Sequence, residues 1–126
     1  MAGVTRPRTA ALINFALRTA YGAFMLGDPN RVGQPWLGGV GAAPSTVPLR
    51  GIGGREIALH VAGAVAILGG APTRPWLLAS LGGDLTDITA TFADRAQLPD
   101  GGLRACLLTG GGSALMTAGL IAFADD

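Results

Sequence analysis

The chain has 126 residues, of which 13% are charged, with a mean hydropathy of +0.45 and a net charge of +1 at pH 7. Soluble domains carry about 25% charged residues, so this composition suits lipid better than water, and the length suits one integral membrane domain over residues 1–126. The positive charges are all Arg and are nearly cancelled by eight acids, so the chain lacks the basic surface that a nucleic acid partner requires.

Four apolar segments each approach the roughly 20 residues that a helix needs to cross a bilayer core. They are residues 9–26, 51–70, 76–92 and 103–123. Asn14 and Arg18 interrupt the first segment, so we expect a mature helix there rather than a signal peptide. The abundant glycines would let helix backbones approach closely in lipid, and a soluble Gly-rich bundle is the alternative.

The connections predict how these helices are arranged. Glycine and proline break the chain near residues 70–74 and 94–102, and such short links imply antiparallel neighbours. The predicted fold is therefore an all-α bundle of four transmembrane helices with antiparallel up-down connectivity, in the cell (inner) membrane. The long connection, residues 27–50, has no clear period and is interpreted either as a lid or as a disordered loop. Trp36 within it suits the headgroup region of the bilayer.

Ionisable side chains inside the predicted helices are the most informative feature, because a charge at mid-depth in a bilayer survives only when it is paired or faces water. We call the amino-terminal side of the bundle the near side and the opposite side the far side. With a rise of about 1.5 Å per residue, polar side chains of all four helices reach one level in the far half. They are Arg18, Tyr21, Arg55, Glu56, His60, Asp84, Asp87, Thr109 and Ser113.

This polar level predicts a pocket that suits acid–base chemistry. Glu56 and His60 are spaced i,i+4, and Asp84 and Asp87 are spaced i,i+3, so each pair projects from one face of its helix. Because acids outnumber bases, one carboxyl is expected to exchange a proton near neutral pH. We expect Asp84 and Asp87 to act as acid and base, while Glu56 and His60 relay protons or orient water.

The remaining polar residues have supporting roles in this interpretation. Arg18 or Arg55 would hold one carboxylate ionised, and Tyr21 would donate a hydrogen bond to a ligand. Ser113 lies beside the glycines at 110–112, which leave room for a ligand. The structural alternative is an ionic lock between helices, in which Arg18 pairs with acids and the histidine is bonded to a carbonyl.

Metal and cofactor sites are not expected. A metal-binding bundle repeats carboxylates and histidines on several helices, whereas this chain has a single His. Without Lys no phosphate-binding loop of the Walker type is possible, and no organic or redox cofactor is implied. The lone cysteine, Cys106, lies in an apolar run and is interpreted as a packing residue.

Residues 49–56 give the chain a resemblance to a known group. The run Gly53-Gly54-Arg55-Glu56 at the start of the second helix, followed by Asp84 and Asp87 in the third, resembles a family of small four-helix bacterial membrane proteins of unknown function. The likeness covers most of the chain. It implies a topology of four spans and no established chemistry.

These observations predict a membrane-embedded enzyme that performs acid–base chemistry on a lipophilic small molecule. The reaction classes are epoxide hydration or opening, isomerisation, and cyclisation. The alternative is a non-catalytic accessory subunit or carrier whose polar level serves helix packing. The lipid bilayer is the expected surrounding in both cases, and assembly into a homo-oligomer is left open.

Overall fold

The computed structural model describes residues 3–39 and 43–126, and within this part the regular structure is helical, with no strand. Five helices follow one another along the chain. They are α1 (Arg6–Gly27), α2 (Pro29–Leu37), α3 (Ala43–Leu68), α4 (Arg74–Ala93) and α5 (Gly102–Phe123). A short 3-10 turn precedes α5, and α5 contains a π-helical turn at Leu107–Gly111. The predicted all-α fold class is confirmed.

Three of the helices, α1, α3 and α5, are long and apolar enough to cross a membrane. The fourth long helix, α4, has 20 residues but is not among them, because Asp84, Asp87 and several hydroxyl residues lower its hydropathy. Large apolar side chains lie on the outside of the molecule, and Leu108, Leu115 and Phe123 are each more than 65% exposed. Polar side chains are buried between the helices. This distribution is typical of a protein whose outer surface faces lipid.

The long helices alternate in direction. Gly22 of α1 meets Gly53 of α3, and Phe15 lies deeper against Gly63, so these two helices are antiparallel. In the next pair of helices, α3 and α4, the His60 ring is hydrogen-bonded to Ser80. Arg55 of α3 also pairs with Asp87 of α4, so α3 and α4 are antiparallel. Gly110 of α5 lies beside Ile88 of α4, while Ser113 and Asp84 both contact Arg18, so α4 and α5 are antiparallel as well.

The predicted helix positions agree with the structure to within a few residues, with two differences. The second helix was expected from residue 51, but α3 begins at Ala43 and includes Pro48, which costs it one backbone hydrogen bond. The connection at 27–50 was expected to have no regular structure, yet it contains α2. The sequence pattern does not reveal this helix, because it has only nine residues and two of them are prolines. Residues 40–42 of the same connection lie outside the described part.

The near end of the bundle is joined by one carboxylate. Asp126 accepts hydrogen bonds from the backbone amides of Thr73, at 2.7 Å, and Arg74, at 3.3 Å, and thereby caps the amino terminus of α4. The guanidinium of Arg8 lies 3.3 Å from the same carboxylate. This position of Asp126 could not follow from local sequence, because its partners are more than 50 residues away along the chain.

Two glycines allow α1 and α3 to pack closely. A Cβ atom added to Gly53 would lie 2.7 Å from the Gly22 carbonyl oxygen and 2.9 Å from the Leu26 nitrogen, and a Cβ on Gly22 would lie 2.7 Å from the Gly53 oxygen. These three obstacles are all backbone atoms, so none of them belongs to a side chain that could move aside. Small residues at helix crossings have this effect in membrane proteins generally.

We therefore expect Gly53→Ala to separate α1 from α3 and to destabilise the fold by about 1–3 kcal/mol, as overpacking does. Unfolding of the detergent-solubilised protein by heat or by a denaturing detergent measures this. The neighbouring substitution Gly54→Ala is the control, because an added Cβ there meets no atom within 4 Å. Equal effects of the two substitutions would show that the close approach is not what limits the packing.

The stability that Asp126 contributes by capping α4 should depend on pH. Partial burial raises the pKa of this carboxyl, but hydrogen bonds from the amides of Thr73 and Arg74 and from Arg8 outweigh it and lower the pKa below its usual value. A carboxyl whose folded pKa is depressed adds stability above its unfolded pKa and loses that stability as the pH falls through the folded value. Wild type should therefore exceed Asp126→Asn in stability by about 1 kcal/mol at neutral pH, and the difference should shrink as the pH falls through the lowered pKa of Asp126.

Thermal unfolding of both proteins across this range measures the difference, and Asp125→Asn serves as the matched control. A difference between wild type and Asp126→Asn that is independent of pH would mean that the carboxylate charge plays no part in capping α4.

Candidate active site

Arg18 lies in the middle of α1 and bonds to side chains of three other helices. Its Nη1 and Nη2 atoms donate to the two carboxylate oxygens of Asp84 on α4, at 2.8 and 2.7 Å. Its Nε atom donates to Glu56 on α3 at 2.8 Å, and Nη1 also contacts the Ser113 hydroxyl on α5. The side chains of Arg18, Glu56 and Asp84 are each about nine-tenths buried. Such charge-assisted, two-pronged bonds are the strongest that a guanidinium makes.

The structure places His60 behind Glu56. Its ring is completely buried and packs edge-on against Phe15, with ring centres 5.0 Å apart. Since a carbonyl oxygen only accepts, Nδ1 donates to the Glu56 backbone oxygen at 2.7 Å, and Nε2 of the neutral ring accepts from the Ser80 hydroxyl at 2.8 Å. Nδ1 is also 3.6 Å from the Glu56 carboxylate. Both nitrogens are thus occupied, as the structural alternative for this residue proposed.

Asp87 and Arg55 form a second, looser ion pair. The Arg55 Nη2 atom lies 3.4 Å from the Asp87 carboxylate, and their side chains are 47% and 28% exposed. Arg55 therefore lies at the outer edge of the polar level rather than inside it. Compared with the two short bonds to Asp84, this single longer contact leaves Asp87 more accessible. The two aspartates predicted as a pair are thus held in different ways.

A cavity of about 380 Å³ opens beside these groups, and its wall is mostly apolar. Helices α1 to α5 all contribute to it. Six of the eight predicted site residues line it: Arg18, Tyr21, Glu56, Asp84, Asp87 and Ser113. His60 and Arg55 do not line the cavity, so direct contact of either with a ligand is not part of this arrangement. The volume is within the range of small-molecule sites.

Tyr21 offers a donor to the cavity. It is 40% exposed, lies one turn beyond Arg18 on α1, and its hydroxyl has no hydrogen-bond partner within the described part of the chain. A tyrosine in a transmembrane helix usually bonds its hydroxyl to a neighbour. The free hydroxyl of Tyr21 therefore suits the predicted role of donor to a ligand.

Other cavity residues were not predicted from the sequence. Trp36, assigned to the headgroup region, lies on α2 at the far end of the cavity, where its Nε1 donates to the Thr91 hydroxyl at 2.9 Å. Asn14 and Cys106 also line the cavity. The π-helical turn places Gly110 in its wall, and such turns are frequent at functional sites. No local pattern identifies these residues, because their positions depend on how the helices cross.

The charged groups of the site and its possible metal ligands are considered together. Two guanidiniums, of Arg18 and Arg55, face three carboxylates, of Glu56, Asp84 and Asp87, which leaves one negative charge in excess if all are ionised. Within the described residues, no group of three or more His, Cys, Asp or Glu side chains is arranged to hold a metal ion.

Comparisons with protein-family models, with curated proteins and with solved structures find no match to this chain. The resemblance to small four-helix bacterial membrane proteins remains a prediction from the sequence. The chemistry of the site is therefore inferred from its own residues.

The network around Arg18 should dominate stability. We expect Arg18→Met to destabilise the fold by about 3–5 kcal/mol, because two buried carboxylates lose their partner. Combining it with Glu56→Gln and Asp84→Asn should restore much of the loss. Thermal unfolding in detergent measures both variants, and Arg31→Met, at a side chain 75% exposed, is the control. If the triple variant were no more stable than the single one, packing by the Arg18 stem rather than its charge would be responsible.

Proposed function

We propose that the chain is a multi-pass protein of the cell (inner) membrane in which α4 crosses the bilayer together with α1, α3 and α5. The two faces of α4 support this topology. Its polar side chains Ser80 and Asp84 are buried against neighbouring helices, whereas Leu78, Leu85 and Phe92 are each at least 50% exposed. A helix whose acids face protein and whose opposite face is apolar fits within lipid despite a modest mean hydropathy.

We propose further that this protein is an enzyme performing acid–base chemistry on a lipophilic small molecule. One observation carries the proposal: the apolar cavity of about 380 Å³ has three carboxylates and a tyrosine hydroxyl in its wall. Apolar walls with a few converging polar groups are the usual form of a small-molecule site. Because the outer surface is suited to lipid, a lipophilic substrate can reach the site from the bilayer.

The two aspartates have different environments, which assigns their roles. Asp84 receives two short hydrogen bonds from Arg18, one at each carboxylate oxygen, and is therefore the proposed base. Asp87 has only the longer contact with Arg55, so it carries the proton that the excess of acids requires. Pairs of carboxyl groups whose surroundings separate their protonation states serve as acid and base in many enzymes. Glu56 completes the carboxylate wall, and Tyr21 orients the substrate.

Hydration of an epoxide at this site would need only water and the two aspartates, without a cofactor. The Asp87 carboxyl gives its proton to the epoxide oxygen as a carbon–oxygen bond breaks, and water attacks the carbon while its proton passes to Asp84. A diol leaves, and proton transfer from Asp84 to Asp87 restores the site. Isomerisation and cyclisation use the same acid and base, with a substrate carbon or hydroxyl in place of the water.

A non-catalytic role, as accessory subunit or carrier, is the second candidate. The Arg18 network favours it, because one guanidinium joins four helices through Glu56, Asp84 and Ser113 and needs no ligand to do so. In that case Asp87 and Tyr21 would have no chemical task.

Substitution of Asp87 separates the two candidates. We expect Asp87→Asn to keep the wild-type unfolding temperature to within a few degrees, because its ion pair is a single, partly exposed contact of 3.4 Å, yet to reduce turnover about 10²–10⁴-fold, as loss of a general acid does. The assay incubates the protein in lipid nanodiscs with a panel of linear and isoprenoid epoxides in ¹⁸O-labelled water and detects labelled diols, isomers and cyclised products by mass spectrometry.

Asp94→Asn is the matched control, because Asp94 ends the same helix, is exposed and does not line the cavity. Conversion of no panel member by the wild type, or full conversion by Asp87→Asn, would favour the accessory subunit or carrier.

A further inference from the structure

A second cavity lies at the far end of the bundle, away from the candidate active site. It is an open groove of about 630 Å³ beside the connection between α4 and α5. The charged residues and exposed leucines that line it are Arg95, Asp100, Arg104, Leu107 and Leu108. We call this set the far-end groove. None of these residues lines the cavity beside Arg18, so the proposed chemistry does not use them.

The two guanidinium groups of the far-end groove have donors that other residues do not use. Arg104 is exposed, and its side chain has no hydrogen-bond or ion-pair partner within the described part of the chain. The Arg95 guanidinium lies over the Phe92 ring, 4.3 Å from the ring centre, and its Nη1 atom donates to the Phe92 backbone oxygen at 2.9 Å. These contacts hold the Arg95 group in place and leave its remaining N–H donors free.

The charges of the far-end groove favour an anion. Arg95 and Arg104 bring two positive charges and Asp100 brings one negative charge, so the lining has an excess of one positive charge. Asp94, next to Arg95 in sequence, is exposed and does not line the groove. A phosphate diester carries one negative charge, and its oxygens match the planar fork of a guanidinium. The far-end groove therefore suits a phosphate diester better than a cation.

The groove changes from charged to apolar toward the middle of the bundle. Arg104 lies in the first turn of α5, and Leu107 and Leu108 follow one turn, about 5 Å, deeper. These two leucines are 48% and 67% exposed. A phospholipid has the same order, with its phosphate in the interfacial region and its acyl chains in the hydrocarbon core. A water-soluble phosphate compound has no part that would cover the leucines.

We propose that the far-end groove binds an anionic phospholipid of the phosphatidylglycerol class. Its phosphate bonds to Arg95 and Arg104, and one acyl chain lies against Leu107 and Leu108. The single negative charge of this lipid balances the excess positive charge of the groove, whereas the quaternary ammonium of phosphatidylcholine cancels the charge of its own phosphate. The inference rests on the proposed membrane location and is independent of the proposed acid–base chemistry.

Competition between two lipids tests the site. Phosphatidylglycerol and phosphatidylcholine with identical acyl chains are added in equal amounts to the full chain in a neutral detergent, and native mass spectrometry measures which lipid stays bound. Wild type should retain phosphatidylglycerol about fivefold more than phosphatidylcholine, which corresponds to one net positive charge near a membrane surface. Arg104→Gln should bind the two lipids about equally, because it removes that net charge. Arg95→Gln should do the same.

Arg31→Gln is the matched control. Arg31 lies on α2 at the same end of the bundle, is 75% exposed, and does not line the groove. Its substitution changes the charge of the protein by the same amount, yet it should keep the fivefold preference. Arg104→Gln should unfold at the wild-type temperature, since Arg104 is exposed and has no partner within the described residues.

Several results would overturn the proposal. Equal retention of the two lipids by wild type would do so, and so would an unchanged preference in Arg104→Gln. An equal loss in Arg31→Gln and Arg104→Gln would show attraction to the overall charge of this end rather than to the far-end groove. Displacement of the bound lipid by an equal concentration of glycerol 3-phosphate, which has no acyl chain, would show a site for free phosphate compounds.

The outcomes separate this inference from the proposed function. If the chain needs detergent to stay in solution but has no preference for phosphatidylglycerol, the membrane location stands and the lipid site falls. If the chain stays in solution without detergent, both fall. Conversion of epoxides, or its absence, bears on the acid–base proposal alone.

Discussion

The structure depends on one guanidinium that is buried between apolar helices, away from water. Arg18 occupies the middle of α1 and is about nine-tenths buried, so its charge must be matched by carboxylates from other helices. Glu56 and Asp84 supply that match from α3 and α4 at 2.7–2.8 Å. Because these bonds are directional, they fix the level and the rotation of each helix about its axis.

Close packing on one side of α1 leaves space on the other. At the crossing of α1 and α3, Gly22 and Gly53 bring two backbones into contact, while His60 and Phe15 fill the next level. The side of α1 that carries Asn14, Leu17 and Tyr21 faces the cavity instead. The same helix thus combines a face of small residues with a face of hydrogen-bonding residues, and the Arg18 network joins the two.

The sequence predicted the long helices and the meeting of Arg18, Glu56, Asp84 and Ser113, because both follow from regular quantities. Apolar segments define helices, and a constant rise per residue converts sequence position into depth. The missed features have no such regularity. The short helix α2 has no usable period, and the capping of α4 by Asp126 joins residues far apart in sequence. Likewise, only the helix crossings decide that His60 lies behind Glu56 while Asn14 reaches the cavity.

A cluster that served packing alone would be expected to balance its charges and pair its donors, since each unmatched group weakens the fold. Here the carboxylates outnumber the guanidiniums by one, with Asp87 held only by a loose contact to Arg55. The Tyr21 hydroxyl lacks a partner in the described part of the chain, and Tyr21 lines the cavity. The well-paired groups around Arg18 therefore account for stability, and the unmatched groups are the ones to which the proposed function assigns a task.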